Sequence, residues 1–340
     1  MNNIERILAE RKKNANFDVK LWSELYQMHL SLVDMSDIKL KGRLIAIEKN
    51  IQFLDGSKSW NDAYKAEYGW QSPWWWFRAR QFTLCEFERR EMTSAPALDI
   101  GAQTTFNWDY ARRRKPTAIR ISKLEWLADL LDGKVRFGAA SLYNEMALQD
   151  AQRDDEISRN VFLPGSLAIL TTENGKRHNL TGEIRLSTSR THTVNGTTTA
   201  LPYWLLCFST ELDHRLLQEF SGGIPRDHGF LVLFDIEKFH RRLSEAIHPF
   251  KVDCGRVEVD YYDEHFPSPE QGPVIGTKSF RFAYQRELRF FILPEDKSNP
   301  AFGQHVCLQA EKMNDIAGIY NSIGEKEAGY GPKKLFSKGH

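Results

Sequence analysis

Apolar residues recur at helical spacing in the first third of the chain. Such a stripe, about 3.6 residues apart, is typical of an amphipathic helix. It predicts helices over residues 4–8 and 21–28, the second carrying Leu21, Trp22, Leu25 and Met28 on one face. We expect a third helix over residues 74–90, with Pro73 in its first turn after Ser72 as cap. Residues 39–53 fit either a strand or a helix.

After Pro116 the pattern changes to short apolar runs separated by turns. It predicts strands at 118–122, 135–139, 203–208, 230–234, 257–262 and 288–293. It predicts helices at 123–131, 214–220 and 236–247, with Ser122 capping the first. Residues 191–199 are rich in Thr and Asn, which is typical of a hairpin tip or of a mobile loop. Strands and helices intermix without a regular βαβ repeat, which favours an α+β fold.

Composition divides the chain at the same point. Seven of the nine Trp lie in the first 116 residues. We therefore predict a mainly helical, Trp-rich accessory region at 1–116 and a second domain at 117–340. A net charge of +1 over 340 residues excludes a globally basic nucleic-acid coat. No apolar run is long enough to span a bilayer, the N-terminus has no secretory signal pattern, and the four Cys are widely spaced. These features predict a cytoplasmic protein with reduced thiols and no membrane association.

The usual catalytic motifs are missing from the sequence. It contains no GxGxxG, GxxxxGK[ST], HExxH or GxSxG. His214 is a lone candidate base, and Cys207 lies inside an apolar run, which indicates packing. Asp253, Asp260, Asp263 and Glu264 have no metal-site spacing, so we expect a solvated acidic loop there and no metal centre.

Three short segments remain: Ile119-Arg120-Ile121-Ser122, Cys207-Phe208-Ser209-Thr210 and Gln285-Arg286-Glu287. Together they resemble the Arg–Ser–Glu ADP-ribosyltransferases, especially the nucleic-acid-modifying toxins. Residues 117–295 also resemble a related family of uncharacterised bacterial proteins. The resemblance implies a split mixed sheet as the core, NAD as the substrate and no metal. Bacterial members act as toxins or in phage defence, which implies an antitoxin as a possible partner.

The resemblance also implies roles for individual residues. Glu287 would stabilise the oxocarbenium-like transition state as NAD is cleaved. Gln285, two residues earlier and therefore on the same face of an extended strand, would select the acceptor. The NAD-binding side chains would be Arg120, Ser122, Ser209 and Thr210, with Tyr143 against the nicotinamide. Arg136 is an alternative to Arg120, and Ser187-Thr188-Ser189 to Ser209. Glu287 as a surface ion pair with Arg286 or Arg289 is the simpler alternative.

An ADP-ribosyltransferase also needs an acceptor, the molecule that receives the ADP-ribose. We predict that region 1–116 binds a nucleic-acid acceptor, because aromatic and basic residues occur together there: Trp74, Arg78, Arg80, Arg112, Arg113 and Arg114. Consecutive helical residues point about 100° apart, so three adjacent Trp cannot form one stacking surface. We expect one or two of them to pack this region onto the core. A protein acceptor, NAD hydrolysis without an acceptor, and a non-enzymatic binding module are the alternatives.

Overall fold

The structure is a computed structural model. It describes residues 19–54, 73–93, 118–144, 154–189, 191–194, 197–200, 202–222, 225–266, 272–293 and 303–335. The predicted helix over residues 4–8 lies outside these ranges. The α-helices of the described residues are α1 (Val19–His29), α2 (Asp37–Leu54), α3 (Pro73–Arg89), α4 (Leu124–Leu131), α5 (Arg215–Ser221) and α6 (Ile236–Ile247). None of them is long and apolar enough to cross a bilayer.

The strands alternate with these helices and with short 3-10 turns, of which Phe280–Gln285 matters most for the site. They are β1 (Ala118–Lys123), β2 (Lys134–Ala139), β3 (Ser158–Pro164), β4 (Ile169–Thr171), β5 (Arg177–Asn179), β6 (Glu183–Ser189), β7 (Thr191–Val194), β8 (Thr197–Ala200), β9 (Trp204–Ser209), β10 (His228–Leu233), β11 (Cys254–Glu258), β12 (Asp260–Tyr262), β13 (Thr277–Ser279), β14 (Glu287–Ile292), β15 (His305–Gln309), β16 (Ala317–Asn321) and β17 (Lys326–Gly329). The chain is therefore α+β, as expected.

Nine of these strands form one sheet, whose main path runs β11-β14-β9-β1-β10-β16-β17. The sheet forks at β9: Ser209 pairs with Ile119 of β1, whereas Leu205 and Trp204 pair with Gly138 and Ala139 of β2. Strand β15 extends the β2 branch. All pairings described in this sheet are antiparallel, so the prediction of a mixed sheet is wrong. Long connections let a strand enter a sheet in either direction, so alternation along the sequence does not reveal its direction.

Helices α4 and α6 cover one face of this sheet. Phe239 of α6 meets Phe208 and Phe290 of the sheet edge-to-face, with ring centroids 5.5 and 5.1 Å away. Burying each ring contributes about 1.5–3 kcal/mol. The bounds of α6 match the prediction because its apolar stripe is regular, and because Asp235 caps it by accepting from the Lys238 backbone N–H at 2.9 Å.

Helices α1, α2 and α3 share a second core with the segment that follows β11. Trp76 of α3 is fully buried and packs against Phe280 and Trp75, with centroids 6.1 and 4.7 Å away. This confirms the expectation that some of the adjacent Trp pack the helices onto the rest of the chain. Arg43 of α2 forms a buried bidentate ion pair with Asp263, at 2.8 and 2.5 Å. The expectation of a solvated acidic loop is therefore wrong at Asp263, because Arg43 compensates its charge.

Three local expectations are settled by the backbone. Residues 37–54, which include the ambiguous stretch, form a helix, because α3 and the 3-10 turn Phe280–Gln285 pack against its apolar side. Strands β7 and β8 pair as a hairpin, as predicted for residues 191–199. Ser122 does not cap α4: it stays in β1, level with Gly229, and Lys123 occupies the cap position without a side-chain hydrogen bond.

Candidate functional site

Two of the three segments singled out in the sequence meet across neighbouring strands. Glu287, the first residue of β14, is level with Ser209, the last residue of β9. The third segment lies on β1, beside β9, and there Ile119 is level with Ser209. Alternation along β1 therefore places Arg120 on the opposite face of the sheet from Ser209 and Glu287. Arg120 Nη1 donates to the backbone carbonyl of Cys207 at 2.7 Å, beside the fork of the sheet.

The chain turns sharply just before Glu287. Gln285 ends a 3-10 turn, and Arg286 has a left-handed backbone with φ of 47°. The expectation that Gln285 and Glu287 share one extended strand is therefore wrong. Such a backbone is strained for a residue with a side chain. The Glu211 carboxylate holds Arg286 in place by accepting from its Nη1 at 2.6 Å.

The hydroxyls predicted to bind NAD contact the backbone instead. Thr210 donates to the Arg286 carbonyl through its backbone N–H at 2.7 Å and its Oγ1 at 3.1 Å. Ser209 Oγ donates to the Glu211 carbonyl at 2.9 Å. These contacts join the 209–211 and 285–287 segments, so the two hydroxyls position the backbone next to Glu287.

Glu287 is buried among charged side chains. Its Oε1 accepts from Arg289 Nε at 2.8 Å, and its Oε2 accepts from Lys278 Nζ at 2.9 Å. Both cations also contact Glu156, Lys278 at 3.1 Å and Arg289 at 2.6 Å. Glu287 does pair with Arg289, but both side chains are buried, so the alternative of a surface ion pair is wrong. Gln285 Oε1 also accepts from Lys278, at 3.2 Å, so Gln285 and Glu287 converge on one ammonium group.

The surroundings of Glu287 and Asp154 shift the pKa values of these two carboxyl groups in opposite directions. Burial disfavours the ionised form of Glu287, but Arg289 and Lys278 outweigh it and hold its pKa well below the usual range. Asp154 lies 4.0 Å from Lys278 Nζ and 3.4 Å from Arg281. Burial, with the nearby Glu156 charge, raises the pKa of Asp154 to about 7. Asp154 therefore exchanges a proton near neutral pH, while Glu287 stays ionised.

A cleft of about 580 Å³ opens beside this cluster. It lies between α2, strands β3 and β6, and residues 277–281. Six basic side chains line it against three acidic ones, Asp154, Asp155 and Glu264. The basic ones are Lys39, Arg43, Arg159, Arg185, Lys278 and Arg281. An anionic ligand is the kind that such a cleft attracts. Lys278 and Asp154 belong to its wall, whereas Glu287 does not.

The cleft also has aromatic residues in its wall. The rings of Phe162 and His265 stack with centroids 5.2 Å apart and 17° between their planes. His265 Nε2 donates to Glu183 Oε1 at 3.0 Å, and burial lowers the pKa of His265. Phe162, His265 and Tyr262 all line the cleft, so a ring of the ligand would meet apolar surface next to the basic groups.

The remaining predicted NAD-binding residues lie apart from the cleft. Arg136 is exposed on β2, where its side chain contacts His305. Tyr143 is half-buried, and burial raises its pKa. The alternative middle motif, Ser187-Thr188-Ser189, lies on β6, and Ser187 contacts Asn160 of β3. Among these residues, Tyr143 contacts the charged cluster through its backbone: its carbonyl accepts a hydrogen bond from the Asp154 backbone N–H at 2.8 Å.

The predicted nucleic-acid surface is only partly described. Arg112, Arg113 and Arg114 lie outside the described residues, as does the side chain of Trp74. Arg78 is exposed on α3. Arg80 is half-buried and donates to Glu48 at 3.1 and 3.2 Å, so its charge is already paired.

Sequence reasoning missed Asp154, Glu156 and Lys278. Their contacts join residues far apart in the chain, and no local spacing marks them. The one available signal is Lys278 itself, a lone Lys between Thr277 and Ser279 ahead of an aromatic run, where burial demands acidic partners. The described residues contain no cluster of three or more His, Cys, Asp or Glu arranged to hold a metal ion.

Comparisons with protein-family models, curated proteins and solved structures return no match to this chain.

Proposed function

We propose that the cleft binds a phosphate-bearing nucleotide and that the chain transfers ADP-ribose from NAD. The observation that carries this proposal is the position of Lys278. Its ammonium group lies in the wall of a basic cleft and contacts both Glu287 and Gln285. These are the two residues to which the resemblance gives catalysis and acceptor choice. Lys278 thus connects Glu287 and Gln285 with the surface that would receive an anionic substrate.

Two features of the sheet support the same proposal. Ser209 and Glu287 are level on adjacent strands, as an Arg–Ser–Glu arrangement requires. The fork at β9 resembles the split sheet of the ADP-ribosyltransferase core. Arg120 supports it less, because its guanidinium is bound to the Cys207 carbonyl.

In the proposed reaction the bond between nicotinamide and ribose breaks, and nicotinamide leaves with the electron pair. The ribose carbon gains positive charge, which an ionised carboxylate stabilises. Glu287 is the carboxylate to which the resemblance gives this role, and Lys278 links it to the wall of the cleft. The acceptor then bonds to the ribose carbon and loses a proton, which Asp154 in its ionised form receives. By resemblance the acceptor is nucleic acid, with a toxin role and an antitoxin partner.

The test is an incubation with NAD labelled in its adenylate part, together with separate pools of RNA, DNA and protein. Nicotinamide release and label transfer are measured for the wild type, Glu287→Gln and Glu258→Gln. Glu258 is an exposed carboxylate on the neighbouring strand β11, so its variant is a matched control. We expect release from the wild type and Glu258→Gln, and none from folded Glu287→Gln. No release from the wild type, or equal release from Glu287→Gln, would reject the proposal.

A non-enzymatic nucleotide-binding module is the second candidate. The observation that favours it is that Arg289 and Lys278 occupy both oxygens of Glu287. Calorimetry with NAD distinguishes the two candidates: binding without nicotinamide release supports the module. Release without labelling of any pool would indicate an NAD glycohydrolase.

A further inference from the structure

The basic side chains of the cleft differ in how much of their charge is already paired. Both outer nitrogens of Arg43 bind Asp263, and Lys39 binds Glu183. Lys278 binds Glu287 and Glu156. These three cations are neutralised by close carboxylates, so they contribute less to the attraction of a ligand.

Arg159 of β3 is different. Its Nη1 donates to the Gly272 carbonyl at 2.8 Å, which carries no formal charge. Its Nε is buried and has no hydrogen-bond partner among the described residues. A buried donor without an acceptor is unfavourable, and a guanidinium N–H is a strong donor. An acceptor from a ligand would remove this penalty.

Arg185 lies beside it on β6 and adds a second positive charge to the same part of the cleft. Its Nε donates to Asn160 Oδ1 at 2.8 Å, and its nearest carboxylate oxygen, on Asp155, is 3.7 Å away. Its side chain is 54% exposed, so it can turn toward a ligand. Arg159 and Arg185 come from paired strands, and both line the cleft. Two guanidinium groups on one wall match two linked phosphates, because each can bind phosphate oxygens bidentately.

We propose that Arg159, assisted by Arg185, binds the diphosphate of the nucleotide that occupies the cleft. This inference rests on the proposed function for the class of ligand, but it concerns binding and not transfer. The diphosphate then lies on the β3–β6 wall, and the base or nicotinamide ring lies near the stacked rings of Phe162 and His265. Arg159 fixes the ligand in position, and Asp154 and Lys278 lie elsewhere on the wall of the same cleft.

The test is calorimetric titration of the full chain with ADP-ribose, inorganic pyrophosphate and adenosine. The variants are Arg159→Gln, Arg159→Lys and the control Arg256→Gln, an exposed Arg on β11 outside the cleft. Circular dichroism verifies that each is folded. We expect ADP-ribose and pyrophosphate to bind the wild type more tightly than adenosine does. Arg159→Gln should weaken both phosphate ligands by about tenfold or more. Arg159→Lys should fall between, and Arg256→Gln should match the wild type.

The inference is overturned if the wild type binds neither phosphate compound, or if folded Arg159→Gln binds them like the wild type. The same variants are assayed with labelled NAD, which separates the two proposals. Pyrophosphate binding that depends on Arg159, without nicotinamide release, supports this inference and rejects the transferase. Nicotinamide release that is unaffected by Arg159→Gln supports the transferase and rejects this inference.

Discussion

The ammonium group of Lys278 donates to the carboxylate of Glu287 at 2.9 Å, and Lys278 lines the cleft while Glu287 does not. One buried lysine thus connects a carboxylate in the interior with the surface that would receive a ligand. Burial alone would favour neutral Lys278, but Glu156 and Glu287 outweigh it and raise its pKa. Lys278 therefore stays charged, and its environment depends on whether an anion occupies the cleft.

Removing the charge of Lys278 should destabilise the fold. Lys278→Met would leave Glu287, Glu156 and Asp154 with Arg289 as the remaining buried cation of the cluster. Breaking a buried ion pair costs about 3–5 kcal/mol, because it leaves uncompensated charge. Urea unfolding measures the loss. Lys134→Met is the control, because Lys134 pairs with Asp129 at the surface, where water screens the pair and its loss should change stability little. Equal effects of the two substitutions would contradict the structure.

Stability should depend on pH through Asp154. Its ordinary pKa is 3.8, and burial, with the nearby Glu156 charge, raises it to about 7 in the fold. Between pH 4 and 7 the native state therefore binds more protons than the unfolded chain, so the free energy of unfolding falls as the pH rises. The full shift corresponds to about 4 kcal/mol. Urea unfolding of the wild type and Asp154→Asn across this range checks it: Asp154→Asn should show the flatter profile, and parallel profiles would disprove the assignment.

The ion pair between Arg43 and Asp263 should show strong coupling in a double-mutant cycle. The side chains are 3% and 2% exposed, so each single substitution, Arg43→Met or Asp263→Leu, leaves one buried charge and costs about 3–5 kcal/mol. The double substitution removes both charges and should recover most of that loss. The exposed pair Lys20–Glu24, 3.9 Å apart, serves as the comparison. Additive losses at Arg43 and Asp263 would show that α2 is not held by this pair.

Much of the secondary structure follows from local patterns. The stripe of Phe239, Leu243 and Ile247 predicted a helix over residues 236–247, and those are its bounds. The apolar runs at 203–208 and 230–234 became strands β9 and β10 of the central sheet, one on each side of β1. Such patterns succeed because the local backbone fixes the spacing of side chains on one face, about 3.6 residues in a helix and 2 in a strand.

The candidate site was predictable only in part. The sequence led to Ser209 and Glu287, which are level on neighbouring strands. It did not lead to Asp154 or Lys278. It also placed Gln285 in a strand, because nothing in the letters Gln-Arg-Glu indicates that Arg286 would adopt a left-handed backbone. That conformation depends on Glu211 and Thr210, some 75 residues earlier in the chain.

The sequence by itself determined several of the helices and strands, since propensity and apolar spacing act between near neighbours. The tertiary structure alone decided the antiparallel strand order, the face on which Arg120 lies and the burial of Lys278 and Asp263. A charged side chain enters the interior only where opposite charges from distant segments meet it. That compensation is a property of the assembled fold, so it cannot be inferred from the order of the residues.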